Sequence, residues 1–545
     1  MKIHMKSIYN KILTFGVVAL FVPALSGCIE ELEPQSSVVT EEQVKESPAS
    51  SEALKMAMPA YLNQYTDTGW HYSFGYAAQM MIRNMLGGDT GFNVSTYAGH
   101  FARWGINQYQ GSDYVFAGYV WSYYYGFLLA VNQMIGTVDP ENASEDQLGA
   151  LGAAYAFRAL IYLDLARMYE FLPNDIFPDG KNSDGMTVTG LTVPIVTEAT
   201  PASEARKNPR ATHEKMSEFI LSDLDNAEKY IVNLTDTKGN VLPDLACVYG
   251  LKARLYMWNE DYSNAKTFAR KAIDNSKVAP ISKEEGLSLT NGMNTAADFM
   301  WAGQQTSEDR TVTTGIVNWT SWASNQTDFG YTGAATKMFL ICDAKFYERI
   351  SNTDWRKLWF QAPEGSPLRA QIPYMNPTDA AGLVPYASIK FRPAQGNISA
   401  YATGAASAYP VMRVEEMYFI EAEATAQSDP AAGLTLVKNF MSTYRDPNYA
   451  SKASTKEAVV NEIVFQKQVE LWGEGQRFFD VKRLNLSVTR GYKDTPFYSQ
   501  FRLNTNGRPA WTNLVISRNE VMNNDALINY NNPDPSDKYP VWTEE

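Results

Sequence analysis

The residues best suited to chemistry in this 545-residue chain are aromatic rings set among amides, with Phe, Trp and Tyr making up 13% of it. One stretch without helical periodicity runs from Trp70, His71 and Tyr72 through Arg83, Asp89 and Asn93 to Trp104, Asn107 and Tyr109. A second holds Trp301, Gln304, Asn318, Trp319, Trp322, Asn325 and Tyr331. Indole and phenol rings stack on the apolar C–H faces of a sugar, while amides, carboxylates and guanidiniums meet the hydroxyls at its edge. Trp70, Tyr72, Trp104, Asn107, Tyr109, Trp301, Trp319, Trp322 and Tyr331 are therefore the candidate ligand contacts. The competing role for Trp and Tyr at loop bases is to pin the loops, and about half of such residues do so.

Reactive constellations of other kinds are scarce. Beyond the first residues the histidines are His71, His100 and His213, widely spaced, and the sequence has no H-E-x-x-H, G-x-S-x-G or P-loop pattern. A glycosidase needs only two carboxylates about 5–10 Å apart. The densest acidic group is Glu415, Glu416, Glu421 and Glu423, but Met417, Phe419 and Ile420 between them read as one helix, whose acids belong to a solvated or scaffold-paired face. No catalytic residue, metal ligand or cofactor is assigned.

Cys28 is the remaining reactive residue. Lys2, Lys6 and Lys11 precede the apolar run Ile12 to Ala24, and Leu25-Ser26-Gly27 leads into the cysteine. The run is short of the ~20 apolar residues of a membrane span. With small residues before the cysteine, it resembles a bacterial lipobox, so residues 1–27 are expected to be a lipoprotein signal peptide and Cys28 the lipidated first residue. Residues 28–39 form an acidic tether, Ile29-Glu30-Glu31-Leu32-Glu33-Pro34 at its head, similar to leaders that send lipoproteins to the outer cell surface. Removing residues 1–27 takes away three lysines and no acid, which moves the net charge from −13 to −16 and argues against nucleic-acid binding. Cys247 and Cys342 sit in apolar flanks and are expected to be buried free thiols.

Helices must position these groups. Thr40-x-x-Gln43, Ser144-x-x-Gln147 and Ser454-x-x-Glu457 fit capping boxes. After Ser144, Leu148, Leu151, Tyr155, Ala159, Tyr162, Leu163 and Ala166 recur at helical spacing up to a stop before Pro173, and a second long helix is expected from about Glu457 to Lys482. From Tyr249 to Ile273, Ala253, Tyr256, Tyr262, Ala265, Ala269 and Ala272 fall where a tetratricopeptide helix pair needs small and aromatic residues. One pair cannot bury its own face, so Trp121–Ile135 with Ser144–Tyr169, and Met412–Gln427 with Leu434–Tyr444, are expected to stack on it. The fold class is mainly α: tetratricopeptide-like helix pairs over residues 40–545, carrying irregular loop-rich, ligand-binding regions at about 60–120 and 280–405.

Several motifs resemble the SusD/RagB family of outer-membrane nutrient-uptake lipoproteins, and the likeness extends over most of the chain. Ala154-Tyr155-Ala156-Phe157-Arg158-Ala159-x-x-Tyr162-x-Asp164-Leu165-x-Arg167-Met168-Tyr169 is similar to a family helix, with Glu170 in place of the usual glycine. Arg210-Ala211-Thr212, Asp223-Leu224-x-x-Ala227, Arg413-x-x-Glu416-x-Tyr418-x-x-Glu421-Ala422-Glu423-Ala424, Glu470-Leu471-x-x-Glu474-Gly475-x-Arg477-x-x-Asp480-Val481-x-Arg483 and Glu520-x-x-x-Asn524-x-x-Leu527 follow other family patterns. The resemblance implies a lipid-anchored lid on the cell outer membrane, over a SusC-like TonB-dependent transporter, that binds glycan and does not cleave it. A lid for peptides or another nutrient, and a surface glycoside hydrolase, are the alternatives.

Overall fold

The computed structural model describes residues 48–66, 70–96, 98–333 and 335–544. The signal peptide, Cys28, the acidic tether and the Thr40–Gln43 box lie outside the described residues.

The architecture is mainly helical. In chain order the principal helices are α1 (Pro48–Tyr61), α2 (Tyr76–Gly87), α3 (Gly99–Gly105), α4 (Val115–Thr137), α5 (Glu145–Tyr169), α6 (His213–Ile231), α7 (Leu245–Trp258) and α8 (Tyr262–Asn275). After a long insertion follow α9 (Val414–Ala426), α10 (Pro430–Tyr444), α11 (Lys456–Glu470) and α12 (Arg477–Arg483). From α4 to α10 each helix packs on the next, so the insertion between α8 and α9 leaves the helix stack continuous. Small residues make this possible, since Ala253, Ala265, Ala269 and Ala272 are fully buried where α7 and α8 meet.

Local signals act as their chemistry requires. The Ser144 hydroxyl caps the Gln147 N–H and the Gln147 side chain accepts the Ser144 N–H at 2.9 Å, which starts α5. Among the described residues α5 alone is long and apolar enough to cross a membrane, but 89% of its apolar window is buried inside the protein, where it packs between α4 and α6. The expected cap at Ser454 is displaced by one residue: Thr455 is extended and accepts the Ala458 N–H, so α11 begins at Lys456.

The single helix expected from Glu457 to Lys482 is two helices. Gly473 (φ 79°) and Gly475 (φ 73°) adopt left-handed backbone between them, a conformation that ends the α-helical ladder and that glycine takes without Cβ strain. Glu470 and Glu474 therefore do not share a helical face.

Two short antiparallel ladders tie the loop regions together. β1 (Thr90–Phe92) pairs with β3 (Leu340–Cys342), Gly91 opposite Ile341, and β2 (Trp301–Gln304) pairs with β4 (Ala408–Met412), Gly303 opposite Tyr409. The first joins the segment after α2 to the insertion; the second joins the insertion to the start of α9. Cys247 and Cys342 are buried free thiols.

Candidate functional site

The two aromatic stretches meet. Trp322, on the short helix Trp319–Ala323, donates its indole N–H to the His71 carbonyl at 3.1 Å, and its ring stacks on Tyr331 at 4.4 Å and 13°. His71 lies 5.4 Å from both rings and 5.3 Å from His100 at the start of α3. Trp70 stands over this group, edge-on to His100 at 5.2 Å, with 48% of its surface exposed. The result is a half-exposed face of Trp70, His71, His100 and Tyr331 on a buried floor of Tyr72, Phe101 and Trp322.

Close backbone approaches hold the face. Gly99 has φ 52°, and a Cβ there would stand 2.3 Å from His71 Cε1. Gly330 has φ 106°, with Ser321 Cα 2.7 Å from the same hypothetical atom, so the loop bearing Tyr331 lies directly on the Trp319–Ala323 helix. Tyr331 N–H donates to the Ser321 hydroxyl at 3.0 Å and the Ser321 carbonyl at 3.1 Å.

The face is uncharged at neutral pH. Burial, reinforced by His100, pushes the His71 imidazole down to about 4; burial and then Arg103 lower His100. His71 Nε2 accepts the His100 backbone N–H at 3.2 Å, which puts the neutral ring's proton on Nδ1. A neutral aromatic ledge flanked by imidazoles suits the C–H face and hydroxyl edge of a sugar ring.

The nine candidate contacts separate by burial. Trp70 and Tyr109 are exposed and Tyr331 is half-buried. Tyr72, Trp104, Asn107, Trp301, Trp319 and Trp322 are buried, at 5% exposure or less, and present no face to a ligand. Their roles are in packing. Trp301 donates to the Val241 carbonyl at 3.2 Å and meets Phe157 edge-on; Trp319 packs edge-on against Phe391; Trp104 lies between Tyr72 and Phe116. Asn107, in left-handed backbone (φ 60°), receives the Asp537 N–H on its carbonyl at 2.8 Å and the Lys538 N–H on its side chain at 3.2 Å, pinning the C-terminal segment. Tyr109 lies under the Arg103 guanidinium at 5.5 Å and edge-on to Tyr114 at 5.1 Å.

Polar residues of the same stretches are structural too. Arg83 is buried against Asp164 at 2.9 Å, and Asn325 bridges the Leu340 and Ser388 carbonyls at 2.8 Å each. Outside the nine candidates, His100 is half-buried in the face, and the loop residues Phe329 and Tyr401 are half-buried and exposed. Tyr401 is 43% exposed, and Ser399 beside it donates to Asp328 at 2.7 Å. Nothing in local spacing distinguishes them, because their exposure depends on chain crossings between distant loops.

The acidic cluster is scaffold. Glu416 receives both Nε and Nη2 of Arg254 at 2.8 and 2.6 Å, Glu421 pairs with Arg270, and Glu423 with Arg483 at 2.7 Å. Glu415 belongs to a fully buried junction where Asp354, Glu415, Glu470 and Glu474 face Arg356, Lys390, Arg413 and Arg445. Glu470 is its centre, with Arg356 at 3.0 Å, Arg413 at 2.7 Å and Arg445 at 2.7 Å. Burial would push its carboxyl up, but Arg445, Arg413 and Arg356 together hold it well below the usual range. Glu170 also has scaffold partners, His213 Nδ1 and the Trp258 indole N–H, both at 2.8 Å.

Comparison with known proteins agrees with this scaffold. A model described as "SusD family" matches residues 261–534, and one described as "Starch-binding associating with outer membrane" matches residues 43–257. SusD-like protein P2 of Formosa agariphila is 22% identical over 498 residues, covering 87% of this chain and 90% of its own. A solved SusD-like carbohydrate binding protein from Bacteroides vulgatus has a TM-score of 0.66 at 18% identity, over 88% of this chain and 96% of its own. Surface glycan-binding protein A from Bacteroides uniformis has a TM-score of 0.60 at 15% identity, over 89% and 99%. These identities carry the fold and no residue roles.

Proposed function

Because the chain belongs to the SusD family, we propose that it binds glycan on the Trp70–Tyr331 face at the outer membrane and passes it, uncleaved, to a SusC-like TonB-dependent transporter. The observation that carries this reading is the convergence of two distant loop regions on one half-exposed, uncharged aromatic ledge. The carbohydrate-binding names of the solved relatives and the outer-membrane description of the matching family model support it. The arginine partners of the Glu415–Glu423 cluster support a binding role over hydrolysis, since those carboxylates are engaged in the scaffold. Attachment is through acyl chains on Cys28; two or more make the anchor stable where one is marginal.

Calorimetric titration against a panel of oligosaccharides tests the ledge. Trp70→Ala is expected to weaken binding about tenfold, equal to about 1.4 kcal/mol of lost ring contact. A panel with no binding, or unchanged affinity in Trp70→Ala, defeats the glycan reading. A peptide recovered with the transporter complex would replace it with the peptide-lid alternative. For the anchor, Cys28→Ala is expected to yield folded protein released from membranes; retention in the membrane fraction contradicts lipidation there.

A further inference from the structure

A second site lies deep in the scaffold, where the ends of α5 and α7 meet α9, α11 and α12. It is a cavity of 40 Å³, room for about three waters or one small ion at roughly 10–15 Å³ each. Its lining holds five cations, Arg167, Arg254, Lys467, Lys482 and Arg483, against three carboxylates, Glu170, Glu416 and Asp480, with buried Glu423 behind Arg483 at 2.7 Å. Each carboxylate is already engaged. Glu170 holds His213 and Trp258, Glu416 holds Arg254, and Asp480 holds Lys467 at 3.0 Å and Arg483 at 2.8 Å.

Two cations in the lining remain under-satisfied. Arg254 is 3% exposed, and its Nη1 is buried with no hydrogen-bond partner. Lys482, also 3% exposed, donates to the Met168 carbonyl at 3.0 Å and the Glu170 carbonyl at 2.6 Å. Two carbonyls take two of the three ammonium donors and supply no negative charge. Asp164 offsets Arg167 at 2.8 Å, yet it also offsets Arg83 at 2.9 Å. A water would satisfy donors without correcting the charge. A buried uncompensated cation is costly, and an anion within reach removes that cost.

We propose that this cavity binds one small monovalent anion, chloride or a carboxylate no larger than formate, against Arg254 and Lys482. The anion joins α5 and α7, from the first half of the chain, to α9, α11 and α12 from the second. It acts as an internal staple, independent of the aromatic face. Burial, opposed by Glu170, pushes the Lys482 ammonium well below its ordinary range, and a bound anion would raise it again.

The test is thermal unfolding in sodium chloride against sodium gluconate at equal ionic strength, gluconate being too large for the cavity. Chloride is expected to raise the midpoint by about 1–3 °C and to saturate, as specific binding does. Lys482→Met is expected to abolish that increment. Crystals soaked in sodium bromide should show an anomalous peak within about 3.5 Å of Arg254 Nη1, a readout that stands even if Lys482→Met fails to fold. Equal midpoints in the two salts, an undiminished increment in Lys482→Met, or no bromide in the cavity would each overturn the proposal.

Discussion

Around Glu470 the side chains are charged, fully buried and drawn from separate segments in the second half of the chain. Around Trp70 they are neutral, half-exposed and gathered from loops far apart in sequence. The two regions divide the work of the molecule. A buried ion needs every partner in place, because removing one strands the others in a poor solvent for charge. A binding ledge needs only that a few rings stand free, and its supporting residues can be any that pack. The motif residues therefore identify the scaffold while saying nothing of what the ledge holds.

The largest test of this division is Glu470→Ala. It leaves Arg356, Arg413 and Arg445 without their common carboxylate and is expected to cost about 3–5 kcal/mol of stability, at the upper end because three guanidiniums are stranded. Denaturant unfolding measures it; a loss under 1 kcal/mol would mean that the junction is hydrated and the contrast with the ledge is overdrawn.

Next comes Trp322→Ala, which removes the buried floor beneath Tyr331. A loss of about 3–4 kcal/mol is expected, with weakened glycan binding as a consequence of the collapsed ledge. Trp70→Ala should do the reverse, changing stability by no more than about 0.5 kcal/mol while weakening binding. Equal stability losses in the two variants would erase the distinction between floor and ledge.

A smaller, graded effect concerns pH. His71 titrates near 4 in the folded protein and near its ordinary 6.5 when unfolded. Between those values the unfolded chain binds more protons, so stability is full above pH 6.5 and falls as pH drops toward 4. His71→Gln should flatten that part of the profile, and NMR titration of the imidazole should show it neutral at pH 6. An ordinary midpoint near 6.5 would show that the face is wetter than the packing of His71 against Trp322 and Tyr331 implies.

Much of the scaffold was legible because its causes are local. The Ser144 box and the stop after Tyr169 act through contacts a few residues apart, and the alanines of α7 and α8 between helices adjacent in the chain. The break between α11 and α12 was visible in principle as Gly473 and Gly475, but the apolar spacing ran on past them and masked it. The ledge was legible only as a pool of aromatics. Trp301, Trp319 and Trp322 look like Trp70 in composition, yet the first three are core and the last is surface.

By itself the sequence determined the helix stack, through periodicity and caps, and the family, through motifs whose charges must find one another inside that stack. Only the tertiary structure decided which rings form the ledge, that His71 and His100 stand together, and that Glu470 gathers three arginines from separate segments. The physical reason is that helix formation is governed by neighbours along the chain, whereas exposure and ion pairing depend on which distant segments cross.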